Sequence, residues 1–202
     1  MVVVTSFIRF VRIPVMVTLL GLLVAGCGVN AIPTYEEQAK AKWSDVLNQY
    51  QRRADLIPNL VETVKGFAAQ EKAVLESVVK ARAAATGVIM PPEALTDPEA
   101  FKRFQSAQAQ LTGALGRLIA ISEAYPELKS NQNFLALQAQ LEGTENRIAV
   151  ARRDYIEAVR AYNTELRTFP GLLWAATVYR SAKPMQTFTV AEDTIKNPQV
   201  KF

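Results

Sequence analysis

The chain of 202 residues is 50% hydrophobic, 21% charged and only 8% aromatic, the balance of a folded domain built mostly from good helix formers. It contains no histidine and a single cysteine, which excludes an internal disulfide, a zinc centre and any nucleophile activated by histidine. Arg9 and Arg12 account for two of the four net positive charges, and the +2 that remains without them is too small, and too interspersed with acids, to argue for nucleic acid.

Arg9 and Arg12 form a short basic region, Ile13 to Ala25 carries no charge, and Val24-Ala25-Gly26-Cys27 follows. Small residues after a short apolar run describe an export signal. The tetrad also resembles the lipobox of bacterial lipoproteins, which implies cleavage after residue 26 and diacylation (palmitate among the acyl chains) of the Cys27 sulfur. Two alternatives stand beside it. Val2 to Ala25 can remain as an uncleaved single-pass anchor with the arginines at its cytoplasmic end, or Cys27 can be an ordinary buried cysteine. In the first two cases the rest of the chain lies outside the cytoplasm. The expected organisation is a signal peptide over 1–26, a lipidated linker over 27–33, a helical bundle over 34–170 and a tail over 171–202.

Helical spacing begins near Tyr35 and runs through Trp43, Val46, Leu47, Tyr50 and Ala54. Proline disfavours helix in the preceding residue, so Asp55-Leu56-Ile57-Pro58 reads as a tight junction, with a kinked continuous helix as the alternative. A second helix is expected from Pro58 to Thr86, with Gly87 as its stop. Pro91, Pro92, Thr96 and Pro98 mark a loop in which Thr96 or Asp97 can cap the next helix. The third helix carries Phe101, Phe104, Leu111, Leu115, Leu118, Ile121 and Tyr125, and stops near Pro126. Gly113 and Gly116 within it read as allowing close packing. The fourth runs from Ser130 to Thr168 on Phe134, Leu137, Leu141, Ile148, Tyr155, Val159, Tyr162, Leu166 and Phe169. Four amphipathic segments with short connections predict an all-α, elongated, antiparallel up-and-down four-helix bundle with an irregular C-terminal tail.

That count also predicts the ends. The one–two junction and the three–four turn share the tip far from the anchor, while the Pro91-Pro92 loop and the C-terminal tail share the anchored end. The tip then gathers Arg52, Arg53, Asp55 and Asn59 with Tyr125, Glu127 and Lys129, a candidate partner-binding surface. Helix ends need capping groups in any case, so the same residues also read as turn chemistry. Glu145 and Asn146 interrupt the fourth stripe. Glu145 is either a proton-transfer group or, as buried carboxylates more often are, paired with an arginine such as Arg117. Phe169, Leu172, Leu173, Trp174, Val178 and Tyr179, followed by Arg180 and Lys183, read either as a cap on the bundle end or as a segment in the lipid headgroup region.

Tyr50-Gln51-Arg52-Arg53-Ala54-Asp55-Leu56-Ile57-Pro58-Asn59-Leu60-Val61-Glu62-Thr63-Val64-Lys65-Gly66 resembles the signature segment of the LemA family. Glu123-Ala124-Tyr125-Pro126-Glu127-Leu128-Lys129 and Glu145-Asn146-Arg147-Ile148-Ala149-Val150-Ala151-Arg152 extend the likeness, which covers the chain from about Tyr35 onward. Glu36 departs from it, since most of the family has asparagine after the tyrosine. The resemblance implies a bacterial envelope protein with an N-terminal membrane segment and an antiparallel helical bundle, and it implies no reaction. The expectation is therefore a membrane-anchored, non-catalytic interaction or scaffold module that binds another envelope protein and needs no cofactor or metal. A carboxylate-dependent enzyme acting on envelope polymers and a self-assembling spacer are the alternatives.

Overall fold

The structure is a computed structural model that describes residues 28–189; the expected signal and Cys27 lie outside the described residues, as does the end of the tail. The described residues are helical and contain no strand. Helix α1 spans Ala31–Phe67, α2 Lys72–Gly87, α3 Pro98–Ile121, α4 Pro126–Lys129, α5 Gln132–Glu165 and α6 Gly171–Thr177, with 3-10 turns at Pro92–Thr96 and Ser122–Ala124.

The expected junction at Asp55–Pro58 is not there. Helix α1 continues through Pro58 for 37 residues, about 55 Å. The reason lies in its buried stripe: Ala39, Trp43, Val46, Tyr50, Arg53, Ile57, Leu60 and Val64 keep steps of four and three without a change of phase at the proline. Pro58 itself is exposed, so its ring meets solvent rather than the core. What proline removes is the amide that would bond the Ala54 carbonyl. Arg82 of α2 replaces it, donating from Nε to that carbonyl at 2.8 Å. The chain reverses later, where Ala68 leaves helical geometry and the Glu71 amide donates to the Ala68 carbonyl at 3.1 Å.

Contacts between α1 and α5 fix their relative direction. Lys42 meets Asp154 at 3.8 Å, Gln49 meets Arg147 at 3.2 Å and Arg53 meets Glu145 at 2.9 Å, so one number rises as the other falls. Both later helix starts are capped as their residues allow. The Asp97 carboxylate accepts from the amides of Glu99 and Ala100 at 2.9 and 3.2 Å, and the Asn131 side chain accepts from Phe134 at 3.0 Å. Gly113 and Gly116 are not packing notches: a Cβ at Gly116 would meet nothing within 4 Å, and one at Gly113 only the end of Arg117 at 4.0 Å.

The interior forms two apolar cores. One is aromatic, with Trp43 centred 5.7 Å from Phe101, 5.2 Å from Phe104, 5.1 Å from Tyr155 and 6.0 Å from Phe188. The other is mainly aliphatic and gathers Ile57, Leu60, Val64, Val78, Leu118 and Leu141 among others. The C-terminal region is more ordered than an irregular tail. Residues 171–177 form α6, because the helix formers Leu172 to Ala176 follow Pro170 and pack one face on the aromatic core through Trp174 and Ala175. Beyond it an extended strap is stitched in place: Asn163 bonds Met185 in both directions at 2.9 Å, the Tyr155 hydroxyl donates to the Gln186 carbonyl at 2.8 Å, and the Gln186 amide donates to Leu95 at 2.8 Å. The tail and the proline loop therefore meet, as expected.

Because Arg82 substitutes for one backbone donor, Arg82→Ala should lower stability by about 1 kcal/mol in urea unfolding. Pro58→Ala restores the amide, so the same change made on that background should cost much less, and an equal cost in both backgrounds would show that Arg82 does not serve the proline.

Candidate functional site: a polar layer between two cores

Three helices each place one polar residue in an otherwise apolar stripe. Arg53 lies between Tyr50 and Ile57 on α1, Gln108 between Phe104 and Leu111 on α3, and Thr144 between Leu141 and Ile148 on α5. All three are buried, and they separate the aromatic core from the aliphatic one. Arg53, 1% exposed, is the hub. Its Nη1 donates to Glu145 Oε1 at 2.9 Å and to Thr112 Oγ1 at 3.0 Å, and its Nη2 donates to Gln108 Oε1 at 2.6 Å. The guanidinium also sits 5.0 Å from the centre of the Tyr50 ring. Gln108 passes the connection on, donating to the Ala85 carbonyl of α2 at 3.3 Å. One side chain thus ties α1 to α3 and α5 directly and to α2 through a single intermediary. Beside it, Arg147 donates to Thr144 Oγ1 at 2.8 Å and to Gln49 at 3.2 Å.

The chemistry of this layer follows from its bonding. The Glu145 side chain is 39% exposed, so the carboxylate bridges solvent and the buried cation rather than being enclosed with it. Arg53 Nε is buried without a partner, a cost typical of a guanidinium whose planar fork cannot meet every acceptor at once. No second acid converges on Glu145 in the layer, and the described residues hold no group of three or more potential metal ligands. The phenols of the layer and of the aromatic core are held in their neutral form: burial raises the pKa of Tyr50, beside Arg53, and of Tyr155, and pushes that of Tyr162, further along α5, up to about 12, helped by the Glu36 charge.

The residues expected at one tip are divided by the continuity of α1. Arg53 is in the layer, where its partner is Glu145. Glu145 in turn pairs with Arg53 and not with the expected Arg117, which is exposed. Arg52, Asp55 and Asn59 are exposed along the flank of α1, where Asp55 accepts from Gln51 at 2.8 Å. Tyr125, Glu127 and Lys129 stand instead beside the α1–α2 turn. The Tyr125 hydroxyl donates to Glu71 at 3.0 Å and accepts from Gln70 at 2.9 Å, and Glu71 accordingly raises its pKa. Lys129 pairs with Glu123, and buried Leu128 anchors the segment between them. A shallow cleft of about 320 Å³ opens on one side of the layer, lined by Leu47, Tyr50, Gln51, Met90 and Gln108 among others.

Removing one partner of a buried polar group leaves the other desolvated without its bond. Arg53→Met should therefore cost about 3 kcal/mol or more in chemical unfolding, since it leaves Gln108 Oε1 buried without its donor. Glu145→Gln keeps an acceptor and should cost less, about 1–2 kcal/mol. Equal and negligible effects would remove the layer from any structural role.

Comparison with known proteins agrees with the residues that were recognisable in the sequence. The chain is 28% identical over 188 residues to magnetosome protein MamQ 1 and to magnetosome protein MamQ 2 of Paramagnetospirillum magneticum, covering 85% of this chain and 69% of each relative. It is 30% identical over 157 residues to magnetosome protein MamQ of Magnetospirillum gryphiswaldense, covering 70% of this chain and 58% of that one. Residues 42–202 match the model of the LemA family, from just before Trp43 through the polar layer and α6. The chain belongs to the LemA family.

Proposed function

We propose that the chain is a lipid-anchored envelope protein, attached to a bacterial membrane through Cys27, whose helices serve as a non-catalytic scaffold for another protein. In this reading α1, α2, α3 and α5 are the four members of an up-and-down bundle. The α1–α2 turn with Tyr125, Glu127 and Lys129 is the end far from the membrane, and it carries the docking surface. Arg52, Asp55 and Asn59 offer a second, lateral contact along α1.

The observation that carries the proposal is the use made of the converging polar groups. Arg53, Gln108, Thr112 and Glu145 spend their hydrogen bonds on one another and on backbone, and Thr144 spends its own on Arg147 and backbone, in the pattern of groups that set register between helices. A carboxylate serving as general acid or base needs a reacting atom within reach, and Glu145 faces Arg53. No helix among the described residues is long and apolar enough to cross a membrane, so attachment is assigned to the N-terminal segment. The MamQ relatives bear names that describe a place of residence rather than a reaction, which fits a protein that holds others in position.

Mass spectrometry of the chain purified from bacterial membranes should find an acylated Cys27 as the first residue. An intact N-terminus with a free thiol would refute the lipid anchor. A photocrosslinker at Glu127 in intact cells should trap discrete adducts with another envelope protein, and clean negatives from Glu127 and Arg52 alike would refute the docking role.

A further inference from the structure

Helix α6 resolves the two readings of the C-terminal apolar cluster by having two faces. Trp174, Ala175 and Tyr179 turn inward against the aromatic core. On the outer side Leu172 and Leu173 of α6 and the flanking Phe169 and Val178 are exposed, to 52%, 53%, 73% and 57%. Four large apolar side chains exposed within ten residues form a patch rather than scattered surface hydrophobics. Arg167, Arg180 and Lys183 are exposed around the patch, and the one acid beside it is Glu165, whose side chain lies against Gly171 at the start of α6.

The place where the N-terminal segment joins the described chain says what covers the patch. Gly28 has φ of +93° and lies against Pro170, so closely that a Cβ there would stand 3.2 Å from the proline ring. Cys27 immediately precedes Gly28, so covalent geometry keeps it one peptide, about 3.8 Å between Cα atoms, from a residue that already lies against Pro170 at the start of α6. The charge-free run Ile13 to Ala25 ends two residues earlier. Any membrane that holds the chain by Cys27 or by that run is thus brought to the outward face of α6.

We propose that the outward face of α6 lies in the headgroup and upper acyl region of that same membrane, with Arg167, Arg180 and Lys183 against anionic headgroups, so that lipid fixes the tilt of the whole domain. This rests on the membrane attachment proposed above. A short amphipathic helix with basic flanks suits such a position: its apolar side chains enter the interface, while its seven residues are far too few to span.

The test uses the full chain reconstituted in phosphatidylglycerol–phosphatidylethanolamine vesicles whose acyl chains carry bromine, a short-range quencher of tryptophan. Two variants each add one indole at an exposed apolar position, Leu173→Trp on the patch and Val79→Trp on α2, roughly 40 Å further along the long axis. The wild-type chain, with Trp43 and Trp174, supplies the background emission. Leu173→Trp should lose about half or more of its added emission, as expected for a depth of roughly 5–10 Å, and Val79→Trp should lose none. Flotation of the wild-type chain with the vesicles reports attachment separately. A chain that floats while Leu173→Trp is unquenched overturns the proposal and leaves the anchor standing, and a chain that does not float overturns both. A blue-shifted but unquenched Leu173→Trp would place a protein surface, such as a second copy, on the patch and also overturn it.

Discussion

A helix that contains an interior proline needs another donor for the carbonyl one turn earlier, and in this chain the donor comes from a different helix. Arg82 reaches from α2 to the Ala54 carbonyl and meets that need. With the buried stripe in phase across the proline, α1 runs unbroken from Ala31 to Phe67. Continuity keeps Ile57, Leu60 and Val64 on the same face as Trp43, Val46 and Tyr50, so one helix serves both cores. It also brings α2 into a defined position along α1, which sets where the Ala85 carbonyl can be reached by Gln108. Proline costs a helix interior about 3 kcal/mol when nothing compensates. Here the compensation doubles as a tertiary contact.

The polar layer then fixes what apolar stripes alone leave open. Leucine and valine faces tolerate sliding, because one apolar contact substitutes readily for another. A guanidinium that must meet Thr112, Gln108 and Glu145 at once does not. A shift of one residue along α1 moves it about 1.5 Å and turns it about 100°, away from all three acceptors. Such a layer is a weak source of net stability, since desolvating the arginine offsets much of what the bonds return. Its effect is on uniqueness, and a fixed shape is what the proposed scaffold role requires. The strap that joins Asn163, Tyr155 and Leu95 through Met185 and Gln186 acts in the same sense on the aromatic core.

The sequence made the helical class, the long fourth segment, the cap at Asp97 and the meeting of tail and proline loop readable, because each rests on local chemistry or on connection length. The error at Pro58 came from weighing one local rule above a longer pattern. The stripe from Ala39 to Val64 crosses the proline in phase, and a real junction would have reset it. Reading Ala54 rather than Arg53 as the stripe residue hid that continuity, since a charged residue was not expected in a buried position. Gln108 and Thr144 went unnoticed for the same reason, although each occupies a regular stripe step. Arg82 could not be found this way at all: its role exists only once α2 lies against α1. The two faces of α6 were equally out of reach, because seven residues carry too little periodicity to divide a cluster.

The central claim is that α1 is one helix, with the tip at Gln70–Glu71 and not at Pro58. Spin labels at Glu37 and Lys65, both exposed on α1, give the most direct reading by pulsed dipolar spectroscopy. A continuous helix separates the two positions by about 42 Å. A reversal at Pro58 would fold Lys65 back beside the preceding helix and shorten the distance to roughly 20 Å, and a single population at that shorter distance would contradict the account.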